Sequence, residues 1–415
     1  MEIETKKMKR QCCSNHNTAK LVGMEDLPNT ILVQILSKLP SKSLFCFGCV
    51  YKALSSTIDD QSLITLHNRL LADNEAAFEV PQLMSIAHKA RSDVICTMQT
   101  RKCVRSSLKR GKYALNVSCQ DLCFVFRNLF GFQLPTEHCF IVNPLRRKEV
   151  VRLPTSSNTQ ELAESSNPKV LVGCFYGMGI DKDTYKLKIV RVGSFGSHTD
   201  ITLHKLKIVH VLELDEASWR EISSVPPDDF SYDEMAVSAC GDVHWFTQIR
   251  GRSCVLSFDF TKEEFSWTPM PPRLDLTNKI HLLTFRGALT LSATSSSGHT
   301  NHIEIWVLKD YERKVWTLDY AVDVDVFCDS HILEIATCGE WEHGIYFYYH
   351  RFYAANLGST FLDLRSTPVR CFSPPLGRTF TYIVSYTGSL LSLKNYDNLV
   401  DANELVSDGR RSTKL

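Results

Sequence analysis

The feature that most constrains this chain is a short, strongly apolar stretch near its N-terminus. Between two prolines, hydrophobic side chains recur at the spacing of one helix face, at positions Ile31, Leu32, Ile35, Leu36 and Leu39. Pro28 can occupy the first helical turn because its missing N–H would have no partner there. Pro40 ends the helix, and Ser41 is placed to cap a second one.

Three more short helices follow by the same pattern. Their apolar positions are Leu44, Phe45, Phe47 and Val50 in the second helix, Leu54 and Ile58 in the third, and Leu63, Leu66 and Leu70 in the fourth.

The apolar side chains of the first helix spread over an arc of about 140° at roughly 100° per residue. A core of roughly 45 residues is marginal alone, and each exposed Leu or Ile forgoes about 1.5–3 kcal/mol. We therefore expect the rest of the chain or a partner to cover part of this surface. Four core helices of a larger domain are the alternative interpretation.

Composition limits the class of protein. The 415 residues are 44% hydrophobic, enough for one large domain and a small one. A net charge of +1 gives no overall attraction to nucleic acid or an anionic membrane, and no apolar run approaches the roughly 20 residues of a membrane span. The charged N-terminal segment lacks the apolar region of a secretory signal. The 15 cysteines follow no repeating framework, so we expect reduced thiols and an intracellular protein of the nucleus, the cytoplasm or both.

After residue 113 the chain consists of short β runs separated by turns. The clearest runs are residues 122–126, 185–192, 281–285, 288–292, 303–308, 345–349 and 390–393. A weak repeat consists of a β run, a polar turn, an aromatic or basic position and often a proline. Two of its steps are roughly 45–50 residues long, which is the size of a propeller blade. About 280 residues would hold on the order of six blades, an arrangement that leaves few open sheet edges.

The predicted fold class is therefore α+β and multidomain, with a small helical domain followed by an all-β, propeller-like domain. The expected divisions are a disordered tail at 1–23, a helical domain at 24–72, a linker or first blade edge at 73–112, the β domain at 113–395 and a polar tail at 396–415.

The apolar positions of the helical stretch, together with Leu27-Pro28, Leu39-Pro40-Ser41 and Lys52, resemble an F-box. In that family the segment binds the Skp-type adaptor of a cullin–RING ubiquitin ligase through its excess apolar surface. The resemblance implies that the adaptor-binding residues are Leu27, Pro28, Ile31, Leu32, Ile35, Leu36, Leu39, Pro40, Leu44, Phe47, Val50 and Lys52. The sequence departs from the usual F-box pattern at Thr30, Tyr51, Leu54 and Gln61.

A second resemblance runs through the β region. Its motifs are Ser118-Cys119, Leu122-Cys123, Asn143-Pro144, Leu153-Pro154, Gly177 to Asp181, Asp183 to Lys186, Val190-Arg191, Gly241 to Trp245, Phe258 to Phe260 and Ile305-Trp306. In this order they are similar to the plant type-1 F-box-associated domain. That resemblance implies a kelch-like β domain that recruits the protein to be ubiquitinated.

Motifs for chemistry are weak. Gly177 and Gly179 lack the third glycine of a dinucleotide fingerprint and precede a strand pattern, so we interpret them as turn glycines. Cys46 and Cys49 have zinc-like spacing without a second pair, which favours buried thiols. A metal site at His343 and His350 with Glu340 and Glu342 is a remote alternative. We interpret five tryptophans as blade core: Trp219, Trp245, Trp267, Trp306 and Trp316.

The sequence thus predicts the substrate-recognition subunit of an SCF-type (Skp–cullin–F-box) ubiquitin ligase, without catalytic residues, metal or cofactor. Its expected partners are a Skp-type adaptor, the cullin and RING subunits reached through it, and an unidentified protein substrate, with no membrane or nucleic acid. Two alternatives remain open: an F-box scaffold that recruits no degradation substrate, and a propeller enzyme with a site in its channel.

Overall fold

The N-terminal part of the chain folds into four helices. In the computed structural model these are α1 (Asn29–Leu36), α2 (Ser41–Val50), α3 (Lys52–Ile58) and α4 (Gln61–Ala72). The structure describes residues 27–72, 80–89, 95–104, 107–118, 121–126, 129–133, 139–143, 149–154, 169–197, 206–214, 216, 218–226, 236–249, 252–272, 274, 279–297, 300–324, 332–351, 357–372 and 381–393. The predicted tails at 1–23 and 396–415 lie outside these ranges.

Pro28 and Pro40 each lie immediately before a helix and outside it. Pro28 and Pro40 have ψ values of 137° and 136°, which are extended, and each is the residue before its helix. The Pro40 carbonyl accepts the Leu44 N–H at 3.1 Å, so Ser41 is the first helical residue and the prediction that it caps α2 is wrong. At α4, by contrast, the Asp60 carboxylate accepts the Ser62 N–H at 2.8 Å as a helix cap does.

The helical domain has its own small core. Buried side chains from all four helices meet there, and one residue from the far end of the chain joins them: Leu32, Val33, Leu36, Leu44, Leu54, Ile58, Leu63, Ile64 and Leu390. Helical spacing predicted six of these core positions, Leu32, Leu36, Leu44, Leu54, Ile58 and Leu63, but not Val33 or Ile64.

The β domain begins with sheet 1, which joins strands from the two ends of the domain. It contains β1 (Gln82–Lys89), β2 (Ile95–Val104), β3 (Ser107–Ser118) and β24 (Thr381–Tyr386), in the order β24-β1-β2-β3. Sheet 2 contains β4 (Asp121–Phe126), β5 (Leu129–Gln133), β6 (Cys139–Asn143) and β7 (Glu149–Arg152). Sheet 3 contains β8 (Lys169–Ile180), β9 (Leu187–Ser197), β10 (Leu206–Glu213) and β11 (Arg220–Ile222).

Three further sheets complete the described strands. Sheet 4 contains β12 (Val237–Ala239), β13 (Asp242–Ile249), β14 (Arg252–Asp259) and β15 (Glu264–Thr268). Sheet 5 contains β16 (Lys279–Phe285), β17 (Ala288–Ser297), β18 (Thr300–Asp310) and β19 (Val315–Val324). Sheet 6 contains β20 (Ile332–Trp341), β21 (Gly344–Arg351), β22 (Leu357–Asp363) and β23 (Arg370–Phe372).

The described strands therefore form six four-stranded antiparallel sheets, which confirms the predicted fold class and is consistent with a propeller-like domain. One edge strand of each sheet lies next to that of the following sheet, in the cyclic sequence β24, β4, β8, β12, β16 and β20. Sheet 1 ties the domain together, because β24 pairs with β1 from Gln82 opposite Tyr386 to Ala87 opposite Thr381.

Two predicted boundaries differ from the structure. Strands β1 to β3 lie in or across the segment 73–112, so the β domain begins at Gln82 and not at 113. Residues 390–393, predicted as a strand, are not in a β-strand. Their alternating pattern has another origin, since Leu390 is buried in the helical core while Leu391 and Leu393 are buried between sheets 2 and 3.

The two glycines predicted to lie in turns are inside strand β8. A Cβ atom on Gly179 would lie 2.3 Å from the Phe260 ring, and one on Gly177 would lie 2.7 Å from Val243. Both positions therefore require glycine because sheet 4 packs directly against the β8 backbone.

The five tryptophans that were predicted as blade core divide into three groups. Trp245 and Trp306 are buried core residues, as predicted. Trp219 and Trp316 are half-buried and donate their ring N–H groups to the carbonyls of Pro154, at 2.6 Å, and Pro269, at 2.8 Å, which lie near the ends of the preceding sheets. Trp267 is 40% exposed, so its assignment to the blade core is wrong. It lies on the outer strand β15, where one face meets solvent.

Candidate adaptor-docking surface

Helix α1 presents an apolar surface on the outside of the helical domain. Ile31 and Ile35 are each 45% exposed, although they flank the buried residues Leu32 and Leu36. Residues four apart lie on the same side of a helix. The two isoleucines therefore form one exposed apolar strip, while the adjacent Leu32 and Leu36 are buried in the core.

Helix α2 presents a second such group at its C-terminal end. Phe47 is 45% exposed and Val50 is 85% exposed, and Tyr51, which follows the helix, is 38% exposed. Leu44, one turn earlier, is completely buried. The wide arc of apolar residues is thus split between a buried face that folds the domain and an exposed face with no described partner in this chain.

The twelve residues predicted to bind the adaptor fall into three groups. The exposed ones are Pro28, Ile31, Ile35, Phe47, Val50 and Lys52; the half-buried ones are Leu27, Leu39 and Pro40; and the buried ones are Leu32, Leu36 and Leu44. The buried leucines hold the helices together from beneath and do not present their side chains to a partner in this conformation.

The charge around this surface is of one sign. Residues 29–58 contain three lysines and no aspartate or glutamate. Lys38, Lys42 and Lys52 are exposed. The surface is therefore apolar with a positively charged surround, and it complements a partner whose rim is acidic.

Cys46 and Cys49 are both exposed on α2, so the prediction that these thiols are buried is wrong. They lie beside Phe47 and Val50 because the helix turns this side of α2 away from the core. Within the described residues, no group of three His, Cys, Asp or Glu side chains is arranged to hold a metal ion.

The remote metal alternative in sheet 6 involves residues with other contacts. The Glu340 carboxylate accepts the Arg286 N–H at 3.0 Å, and burial raises the pKa of Glu340 to about 7. The His343 ring lies 4.7 Å from the Trp341 ring. The side chain of His350 lies outside the described residues.

The segment after β24 holds the helical domain against the β domain. The Ser389 hydroxyl donates to the Asn68 side-chain oxygen of α4 at 3.3 Å. Two residues later, the Asn143 side-chain amide of sheet 2 donates to the Leu391 carbonyl at 2.7 Å. We call residues 389–393 the clamp segment. A further contact places the Arg69 guanidinium 5.7 Å from the centre of the Tyr185 ring.

Two family models match the chain in the same places as its two folded parts. One, described as an F-box domain, covers residues 24–66, and the other, described as an F-box associated beta propeller domain, covers residues 99–401. The chain belongs to the F-box-associated β-propeller family. The F-box helices and the six sheets are therefore the two domains that define this family, in the expected order.

Relatives in Arabidopsis thaliana agree with this assignment. "F-box protein At5g49610" is 24% identical over 304 residues, covering 70% of this chain and 77% of the relative. "F-box protein At4g19940" is 25% identical over 333 residues, covering 75% of each. A solved structure of a post-proline cleaving enzyme from Rickettsia typhi matches with 8% identity over 70% of this chain and 52% of that one. Its TM-score of 0.23 is too low to support an argument.

The clamp segment of this F-box protein is the part of the site that sequence reasoning missed. The available signal was the run Leu390-Leu391-Ser392-Leu393 beyond the last strand, which has the alternation of a strand but serves two different cores. Among the helices that the structure describes, none is both long and apolar enough to cross a membrane.

Proposed function

We propose that this protein is the substrate-recognition subunit of an SCF-type ubiquitin ligase. The observation that carries the proposal is the exposed apolar face of the F-box, formed by Ile31, Ile35, Phe47 and Val50 on a helical domain whose core is otherwise complete. The F-box docks on a Skp-type adaptor through this face. The cullin and RING subunits are reached through the adaptor.

Energetics support this docking mode. Side chains such as Ile31 and Phe47 gain about 25 cal/mol for each Å² of apolar surface that a partner covers. A few such anchors dominate a typical protein interface. Leu32, Leu36 and Leu44 contribute indirectly, since their burial fixes the helices on which the anchors stand.

The β domain is the substrate receptor in this proposal and carries out no bond chemistry. Because the clamp segment contacts both domains, a protein bound to the β domain is held at a defined distance from the docked adaptor. Holding two reactants in place raises their effective concentration. This is how a non-catalytic subunit accelerates the transfer of ubiquitin to a target lysine.

The test is a binding measurement between the purified full-length protein and a purified Skp-type adaptor. The double variant Ile31→Ala/Ile35→Ala is expected to bind about 30-fold or more weakly, since anchors of this kind cost more than about 1 kcal/mol each when truncated. The matched control is Val315→Ala/Leu318→Ala, which shortens two side chains of 45% and 43% exposure on β19 of the β domain. The control is expected to bind like wild type.

Equal binding by the α1 variant and wild type would refute the docking face. A second measurement separates a receptor from a scaffold. Proteins that co-purify with the full-length chain are quantified with and without proteasome inhibition. Accumulation of a bound protein on inhibition supports the receptor, whereas unchanged levels of every bound protein support an F-box scaffold that recruits no degradation substrate.

A further inference from the structure

Two exposed thiols lie one helical turn apart on α2. Cys46 and Cys49 are both exposed, although cysteine is among the residue types most often buried in proteins. Gly48 marks the side of α2 that meets α3, because a Cβ atom there would lie 3.0 Å from the Ile58 side chain. At about 100° per residue, Cys49 is turned about 100° from Gly48 and Cys46 about 160°. Both thiols therefore lie off the face that packs against α3, on the solvent side of the helix.

Spacing limits what this pair of thiols can do together. Helix positions three apart place their Cβ atoms about 5–6 Å from each other, whereas a disulfide needs about 3.5–4.5 Å. A disulfide between Cys46 and Cys49 would therefore distort α2. A metal–thiolate bond is about 2.3 Å long, so an ion held between two sulfurs lets them stay up to about 4.6 Å apart. The helical spacing fits a bridging metal ion better than a direct sulfur–sulfur bond.

The number of ligands selects the kind of ion. Residues 29–58 contain no histidine, aspartate or glutamate, and no group of three His, Cys, Asp or Glu side chains among the described residues forms a larger site. Zinc takes four ligands in a structural site, and calcium and magnesium take oxygen ligands. Cu(I) differs, because it prefers soft thiolate ligands and is satisfied by two of them in a line. The pair of thiols therefore matches Cu(I).

The charge beside the thiols suits such an ion. Two protons leave when two thiols bind one Cu(I) ion, so the bound unit carries one net negative charge. Lys42 is exposed and lies one turn before Cys46, on the same side of α2. Its ammonium offsets the charge of the bound unit, and residues 29–58 contain no carboxylate that would oppose it.

We propose that Cys46 and Cys49 bind one Cu(I) ion, and that this ion and the adaptor exclude each other. The exclusion rests on the function proposed above, since Phe47 and Val50 of the docking face are neighbours of the two thiols on α2. A docked adaptor covers the sulfurs, and the negatively charged copper unit repels a partner whose rim is acidic. The metal site itself does not depend on the adaptor.

The metal site is tested by titrating the reduced full-length protein against the coloured Cu(I) complex of bicinchoninate, which loses its colour when the protein takes the ion. Cys46→Ser/Cys49→Ser is expected to bind one copper ion fewer per chain than wild type. Each single variant is expected to lose the same ion, because both sulfurs are required. The matched control is Cys254→Ser/Cys371→Ser, which removes two partly exposed thiols from different sheets of the β domain. It is expected to keep the wild-type stoichiometry.

Equal copper uptake by wild type and the α2 double variant would overturn the proposal. Single variants that each lose less copper than the double variant would also overturn it, because the two thiols would then bind ions separately. Zn²⁺ titrated alone is expected to show no difference between wild type and the double variant, since zinc needs four ligands. A difference of one zinc ion would overturn the assignment to Cu(I).

The exclusion is tested by measuring adaptor binding to the full-length protein with and without one equivalent of Cu(I). Copper is expected to weaken binding by wild type about tenfold or more and to have no effect on binding by Cys46→Ser/Cys49→Ser. Unchanged affinity of copper-loaded wild type would overturn the exclusion. If copper-free wild type does not bind the adaptor either, the proposed function fails and the exclusion with it, whereas the copper stoichiometry still decides the metal site.

Discussion

The Ser389 hydroxyl donates a hydrogen bond to the side-chain oxygen of Asn68, at 3.3 Å, across 321 residues of sequence. Both residues are buried. This bond joins the last F-box helix to the segment that leaves the final strand of the β domain. The F-box is therefore held to the β domain by this contact with residues near the C-terminus as well as by the direct chain connection after α4.

A substitution in the clamp segment is expected to destabilise the helical domain, which lies near the other end of the sequence. Leu390→Ala is expected to lower stability by about 2–5 kcal/mol, because this fully buried side chain completes the core of the helical domain. The measurement is hydrogen exchange of α4 together with thermal unfolding. Leu206→Ala, at a position 38% exposed on β10, is the control and is expected to change little. Unaltered exchange in α4 would contradict the proposed clamp.

The exposed thiols of α2 provide a footprint of docking. Cys46 and Cys49 lie beside Phe47 and Val50, so a bound adaptor is expected to slow their alkylation by about tenfold or more through exclusion of the reagent. Cys254 and Cys371 in the β domain are the internal reference and are expected to keep their rates. Equal labelling of the α2 thiols in the free and adaptor-bound protein would exclude α2 from the interface.

Lys188 lies in a buried ion network between sheets 3 and 4, whereas Lys186 forms an exposed ion pair. The two lysines are therefore expected to contribute unequally to stability. The Lys188 ammonium lies 2.8 Å from the Asp181 carboxylate and 2.9 Å from the Glu263 carboxylate, and it is 6% exposed. Burial tends to raise the pKa of Asp181, but the hydrogen bond and charge of Lys188 and the two backbone N–H groups of Thr184 and Asp183 together hold that pKa below its usual range. Lys188→Met is expected to cost about 3–5 kcal/mol because it leaves the buried Asp181 carboxylate without the Lys188 cation.

Lys186→Met is the matched control, since Lys186 pairs with Glu213 at 2.8 Å but is 48% exposed. An exposed pair contributes about 1 kcal/mol or less. Urea unfolding midpoints of the two variants distinguish the sites, and equal losses would show that burial of Lys188 does not set the strength of its ion pairs.

Because of Glu340, the free energy of unfolding is expected to depend on pH. Burial raises the pKa of this carboxyl from 4.5 to about 7, so its protonated form favours folding. That contribution is complete below about pH 4.5 and is lost as the pH rises through 7. Glu340→Gln stays neutral at every pH and keeps an acceptor for the Arg286 N–H. It is expected to exceed wild type in stability by about 1–3 kcal/mol at pH 8 and to match it near pH 4.5.

Urea unfolding across this pH range measures the difference. Glu342→Gln, at an exposed position in the turn between β20 and β21, is the control and is expected to show no such trend. A difference between Glu340→Gln and wild type that stays constant from pH 4.5 to pH 8 would contradict the raised pKa.

Local patterns in the sequence were sufficient for the elements that depend on neighbours along the chain. Helix spacing predicted α1 to α4, because residues three and four apart share a helix face whatever surrounds them. Alternation predicted β16, β17, β18 and β21 for the same reason. The F-box positions followed from their fixed spacing within one short segment.

Predictions failed where distant parts of the chain meet. Gly177 and Gly179 fit a turn as well as a strand until Val243 and Phe260 of the next sheet are seen against them. Cys46 and Cys49 stand in a helix of mixed pattern, where the side that meets the core depends on how α2 lies against α3. Leu390 and Leu391 resemble part of a strand because their side chains are buried on opposite sides of the chain. The two sides belong to two separate cores.

The sequence by itself determined that this protein has a helical F-box followed by a propeller-like domain of short repeated β runs, since period and spacing are properties of adjacent residues. The tertiary structure alone decided which apolar side chains of the F-box stay exposed and which residues clamp the two domains together. Those outcomes depend on packing between residues up to 321 positions apart, and no local pattern encodes which distant side chain fills a given space.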